Sequence, residues 1–84
     1  MNISKKEQRT LHALAQGGKI TVLKQGSKIV VAECYTRDGF HLVDCELETF
    51  NRLRRRGFIV SNGGKPYRIT RSGLAAVRAQ LDNR

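Results

Sequence analysis

The chain has 84 residues, 39% of them hydrophobic and 27% charged, and a net charge of +9 at neutral pH. That balance describes one small folded domain over residues 1–84 with a thin core, and it excludes a disordered tail. No apolar run is long enough to span a membrane, and Met1-Asn2-Ile3-Ser4-Lys5-Lys6 lacks the apolar stretch of a signal peptide, so the expected setting is the cytoplasm.

The first predicted element is a helix. Ser4-Lys5-Lys6-Glu7 reads as a capping box, in which the Ser4 hydroxyl accepts from the Glu7 amide while the Glu7 carboxylate reaches back. Leu11, Leu14 and Ala15 mark its apolar face, and Gly17-Gly18 suit its C-terminal cap. At roughly 12 residues such a helix is too short to stand alone in water, so it must dock.

Three strands follow. Ile20–Leu23 is short, Gln25-Gly26-Ser27 turns the chain, and Ile29–Thr36 is rich in β-branched and aromatic residues. Asp38-Gly39 signals a tight hairpin to a third strand, Phe40–Val43. A two-residue loop there would pair Thr36 with His41 and Cys34 with Val43.

Asp44 is the expected cap of a second helix running to Arg56, with Leu47, Phe50 and Leu53 facing the core. Gly57 ends it. Phe58-Ile59-Val60, the turn Asn62-Gly63-Gly64 and Pro66–Ile69 read as a second strand pair. Thr70 is placed to cap a last helix with Leu74, Val77 and Leu81 on one face, and Gly73 in its first turn is expected to allow close packing on the strands. The order is α-βββ-α-ββ-α, an α+β domain of winged-helix-like type with antiparallel hairpins.

The charge is unevenly placed. Residues 52–84 hold nine Lys/Arg against the single acid Asp82, whereas residues 1–51 hold seven basic and six acidic side chains. A localised positive field attracts a polyanion or an acidic protein surface. Arg52, Arg55 and Arg56 face away from the core stripe of the second helix, and with Lys65 and Arg68 they are the expected partner-binding residues. Arg54 falls on the apolar side, so its stem is expected over the core edge with its head in water. Gln80–Arg84 is a second candidate contact.

The residues argue against catalysis. Cys34, Cys45, His12 and His41 are the candidate reactive groups, and Cys34 and His41 are placed to share a sheet face. The two cysteines read better as small core side chains in a reducing compartment. No metal-ligand spacing and no phosphate-binding loop is present, so no cofactor is expected. DNA reading by the second helix meets two obstacles. Its N-terminal turn carries Asp44, Glu46 and Glu48, which phosphates would repel, and a hairpin stands where a helix-turn-helix needs its first helix.

Four strings carry a more specific signal: Glu7-Gln8-Arg9-Thr10-Leu11-His12, Glu33-Cys34-Tyr35-Thr36-Arg37 through Asp44-Cys45, Lys65-Pro66-Tyr67-Arg68-Ile69, and Val77-Arg78-Ala79-Gln80-Leu81-Asp82-Asn83-Arg84. With them the whole chain resembles the YjhX family. The resemblance implies a toxin of a bacterial toxin–antitoxin pair that binds and inhibits DNA topoisomerase I without catalysis. It also implies a cognate antitoxin that is acetyltransferase-like. It supplies no catalytic motif. The alternative reading is a winged-helix DNA-binding transcriptional regulator. The toxin reading expects only weak, non-specific contact with DNA.

Overall fold

In the computed structural model the backbone is described for residues 3–82 and the side chains for residues 3–79. The elements are α1 (Lys5–Ala15), β1 (Lys19–Gln25), β2 (Lys28–Tyr35), β3 (His41–Leu42), α2 (Leu47–Arg55), β4 (Ile59–Val60), β5 (Arg68–Ile69) and α3 (Arg71–Asp82). The architecture is α+β, with three helices and antiparallel hairpins in the order α-βββ-α-ββ-α. β1, β2 and β3 form one sheet, and β4 pairs with β5. Ile20 and Tyr67 exchange backbone hydrogen bonds of 3.0 and 2.8 Å, which stitch the β4–β5 pair to the edge of β1.

The capping box of α1 forms as expected. The Glu7 amide donates to Ser4 Oγ at 3.1 Å, and the Ser4 amide donates to Glu7 Oε1 at 3.0 Å. The buried stripe is Glu7, Thr10, Leu11 and Leu14, at the three- and four-residue spacing of one helix face. Ala15 was expected on that stripe but is exposed. The helix ends in a Schellman motif, with the Gly17 amide on the Leu14 carbonyl and the Gly18 amide on the Ala13 carbonyl.

The hairpin between β2 and β3 differs from the expected two-residue loop. Tyr35 pairs with His41 and Cys34 with Leu42, one residue off the predicted register. The cause lies in the turn. Within the turn Gly39 takes positive φ, at 92°, and Asp38 does not, so Asp38-Gly39 does not form the turn that needs positive φ at both centres. Instead the Gly39 amide donates to the Thr36 carbonyl at 2.9 Å and the Thr36 amide to Phe40 at 2.8 Å, leaving Arg37-Asp38-Gly39 as a three-residue loop. A one-residue shift reverses the faces of β3. Leu42 therefore packs on the core, while Phe40 and Val43 are exposed.

α2 also starts later than expected. Its N-cap is Glu46, which makes no capping bond, and Asp44 lies outside the helix with its carboxylate 3.4 Å from Arg9. Cys45 is buried in the core, with its amide on the Leu42 carbonyl, and this anchor holds residues 44–46 in a turn. Beyond it the core face is as predicted. Phe50 and Leu53 are fully buried, and Leu47 packs against them. Phe50 meets the Tyr67 ring edge-on, with centroids 4.9 Å apart.

Thr70 caps α3, accepting from the Gly73 amide at 3.1 Å while its hydroxyl donates to the Gly57 carbonyl at 2.7 Å. Val77 is buried in the core and Leu74 is half-buried; the Leu81 side chain and the Gln80–Arg84 contact lie outside the described residues. A Cβ at Gly73 would stand 2.5 Å from the Phe58 carbonyl oxygen and 2.7 Å from Ile69 Cγ1. Helix propensity alone favours Ala over Gly by about 1 kcal/mol. Close packing predicts the opposite sign. Gly73→Ala should lower stability by about 1–3 kcal/mol in a denaturant titration, and a gain would refute that contact.

Candidate partner-binding surface

The five expected partner-binding residues occupy α2 and its C-cap Arg56, the β4–β5 turn and β5. Arg52 forms an i,i+4 pair with Glu48 at 3.0 Å. Arg56 approaches the Glu7 carboxylate to 3.7 Å. Arg68 donates to the Gly17 and Gly18 carbonyls at 3.1 and 3.0 Å. Arg55 and Lys65 are exposed and have no ion-pair partner among the described residues. The Arg56 and Arg68 heads are thus fixed near opposite ends of α1. Ten residues separate Glu7 from Gly17, or roughly 15 Å at helical rise. The surface is an extended band rather than one compact patch.

Glu7 explains why Arg56 is held. Its side chain is 2% exposed, and Oε2 has no hydrogen-bond partner among the described residues. A buried carboxylate needs a compensating charge, and the nearest cation is Arg56. Sequence periodicity places Arg56 on the outer face of α2 but does not show that α1 brings a buried acid to that face. The capping box was the available signal, because it fixes the Glu7 carboxylate at the helix start.

The remaining acids on this side are also engaged. Glu46 pairs with Lys6 and Asp44 with Arg9. The hydrogen bond to Glu46 raises the Lys6 pKa above its ordinary value. Arg54 sets its guanidinium 5.4 Å from the centre of the Phe50 ring, as its predicted place at the core edge requires.

The candidate reactive groups are separated. Cys34 is fully buried on the core face of β2, whereas His41 pairs with Tyr35 and lies on the opposite face. The expectation that Cys34 and His41 share a face fails for the same reason as the hairpin register. His41 is 3.7 Å from Glu33 and tilts against Tyr35, and both His41 and Glu33 are about half exposed. Cys45 is also buried, and its hydrogen bond with Cys34, then burial, pushes its pKa far above the ordinary thiol range. No group of three or more His, Cys, Asp or Glu able to hold a metal ion occurs among the described residues. No helix among them is long and apolar enough to cross a membrane.

The family model YjhX_toxin, described as "Putative toxin of bacterial toxin-antitoxin pair", matches residues 1–84. The chain belongs to this family. A UPF0386 protein of Parvibaculum lavamentivorans is 65% identical over the full length of both chains. UPF0386 proteins of Rhodospirillum centenum and Caulobacter vibrioides are each 58% identical over all of this chain, covering 99% and 93% of their own lengths. No solved structure matches. Membership implies an antitoxin as partner.

The neighbouring Arg55 and Arg56 should separate by role. Arg56→Ala leaves the Glu7 carboxylate uncompensated and should lower stability by about 1–2 kcal/mol, discounted for the partial exposure of Arg56. Arg55→Ala should change it by less than about 0.5 kcal/mol. Adding Glu7→Gln to Arg56→Ala should recover part of the loss. Equal effects of the two single changes in urea unfolding would remove the proposed support of Glu7 by Arg56.

Proposed function

We propose that this chain is a non-catalytic toxin that binds DNA topoisomerase I and blocks its relaxation of supercoiled DNA. The observation that carries the reading against a DNA-reading regulator is the state of the α2 N-terminus. In a winged-helix arrangement that turn faces the bases. Here Glu46 holds Lys6 and Glu48 holds Arg52, so the turn presents neutralised ion pairs where base readout needs donors. The β2–β3 hairpin occupies the place of the first helix of a helix-turn-helix, and the β4–β5 pair takes the place of a wing. Such a scaffold suits recognition of a protein surface.

In this reading, Arg52, Arg55, Arg56, Lys65 and Arg68 form the band that meets topoisomerase I, and Arg55 and Lys65, without an ion-pair partner among the described residues, steer the encounter. Arg56 and Arg68 hold the scaffold beneath it. The toxin works in the cytoplasm, and an acetyltransferase-like antitoxin neutralises it. Family membership and the buried placement of both cysteines support the absence of a catalytic step.

A plasmid relaxation assay with purified topoisomerase I tests this. Loss of relaxation near one toxin per enzyme, unrelieved by excess DNA, is expected. Arg55→Ala with Lys65→Ala should raise the half-inhibitory concentration about three- to tenfold at low salt, and less as ionic strength rises. No inhibition, or inhibition abolished by excess DNA, would favour the regulator reading.

A further inference from the structure

The cations with no acid beside them gather at a second place. A groove of about 400 Å³ lies between the β1–β2 turn and the outer face of α2, lined by Ser27, Lys28, Ile29, Asn51 and Arg54. No carboxylate of the described residues lines it. Lys28 has no ion-pair partner among the described residues, and the Ser27 hydroxyl and Asn51 amide have no hydrogen-bond partner there. Lys24 pairs directly with Ile29 and so shares its sheet face, adding a third cation without an acidic partner among the described residues.

Arg54 is held in place at this groove. Its guanidinium carbon lies 5.4 Å from the centre of the Phe50 ring, and Phe50 in turn meets the Tyr67 ring edge-on. That contact engages the charge and leaves the guanidinium N–H groups able to donate to a ligand. Asn51 stands three residues earlier, on the same side of α2. The groove thus combines a fork of Arg donors, an ammonium, an amide and a hydroxyl, with only Ile29 as apolar lining.

We propose that this groove binds the phosphodiester backbone of a nucleic acid, with Arg54 and Lys28 on phosphate oxygens and Asn51 and Ser27 completing the contact. Phosphate contacts use these donor types and carry no sequence information. Ile29 is the one apolar contact among the described lining residues, and the other four side chains are donors of the kind that phosphate oxygens accept from. The groove shares none of its described lining residues with the Arg55 and Lys65 band, which it adjoins along α2, and its test contains no topoisomerase.

The test is fluorescence anisotropy of the full chain with a labelled mixed-sequence duplex, across a range of potassium chloride. Affinity should fall steeply with salt. Lys28→Ala with Arg54→Ala should reduce the log–log slope by about two, with at least about tenfold weaker binding at low salt. Arg55→Ala with Lys65→Ala should leave a larger share of the slope than this pair does. Lys28→Glu alone, at the exposed start of β2, repeats the measurement without disturbing the Phe50 contact. An unchanged slope in Lys28→Ala/Arg54→Ala and Lys28→Glu would overturn the assignment. So would poly-glutamate binding as tightly as DNA, which would make the groove a site for acidic protein. Inorganic phosphate should displace the duplex no better than potassium chloride of equal ionic strength. Stronger displacement would make the groove a pocket for a small phosphate compound and overturn the backbone reading.

Discussion

An isolated helix as short as α1 is unstable in water, and the rest of the molecule is arranged to hold it. Leu11 and Leu14 supply its apolar contact with the core, and each end is tied by an arginine from distant sequence. Arg56 reaches the buried Glu7 in the first turn, and Arg68 reaches the carbonyls that follow the last turn. These ties also set the positions of their own elements. The end of α2 is brought to the start of α1, and β5 is brought to its end. The Ile20–Tyr67 bonds then complete the closure between β1 and the chain before β5.

That arrangement changes how the charge should be counted. The run Arg54-Arg55-Arg56 reads in sequence as one positive cluster, yet its members have three different environments. Arg54 lies on an aromatic ring, Arg55 faces solvent and Arg56 faces a buried acid. The acids at the start of α2, Asp44, Glu46 and Glu48, are neutralised by Arg9 and Lys6 of α1 and by Arg52 of α2. The remaining field comes from cations on the hairpin, the turns and the outer face of α2. Neither total charge nor its distribution along the sequence locates that field, because ion pairing between α1 and α2 depends on the tertiary structure.

Local signals in the sequence were reliable where a single mechanism controls the geometry. The capping box of Ser4 and Glu7, the cap by Thr70, the close approach at Gly73 and the Phe50–Leu53 face all depend on neighbouring residues, and all are present. The errors arose where burial overrode local preference. Cys45 enters the core and delays α2, which leaves Asp44 to Arg9 rather than to a cap. The Asp38-Gly39 pair has the composition of a two-residue turn, but Asp38 keeps negative φ and the loop takes a third residue. That single residue moved His41 away from Cys34. The groove between hairpin and helix was not legible, because Ser27 and Asn51 carry no motif and meet only when β2 and α2 pack together.

The edge of β1 has a consequence for how copies of this chain behave together. The backbone of Ile20 points outward to Tyr67, so by strand alternation the backbone groups of Val22 point outward as well, beyond the end of that bridge. Such an edge can template pairing with another chain. Lys19 and Lys24 flank it, and each copy carries +9, so self-repulsion keeps edges apart in dilute salt. Colloidal stability therefore draws on long-range charge, and it weakens as the Debye length contracts. Concentrated solutions should be stored at low ionic strength, the opposite of the usual practice for basic proteins handled with nucleic acid.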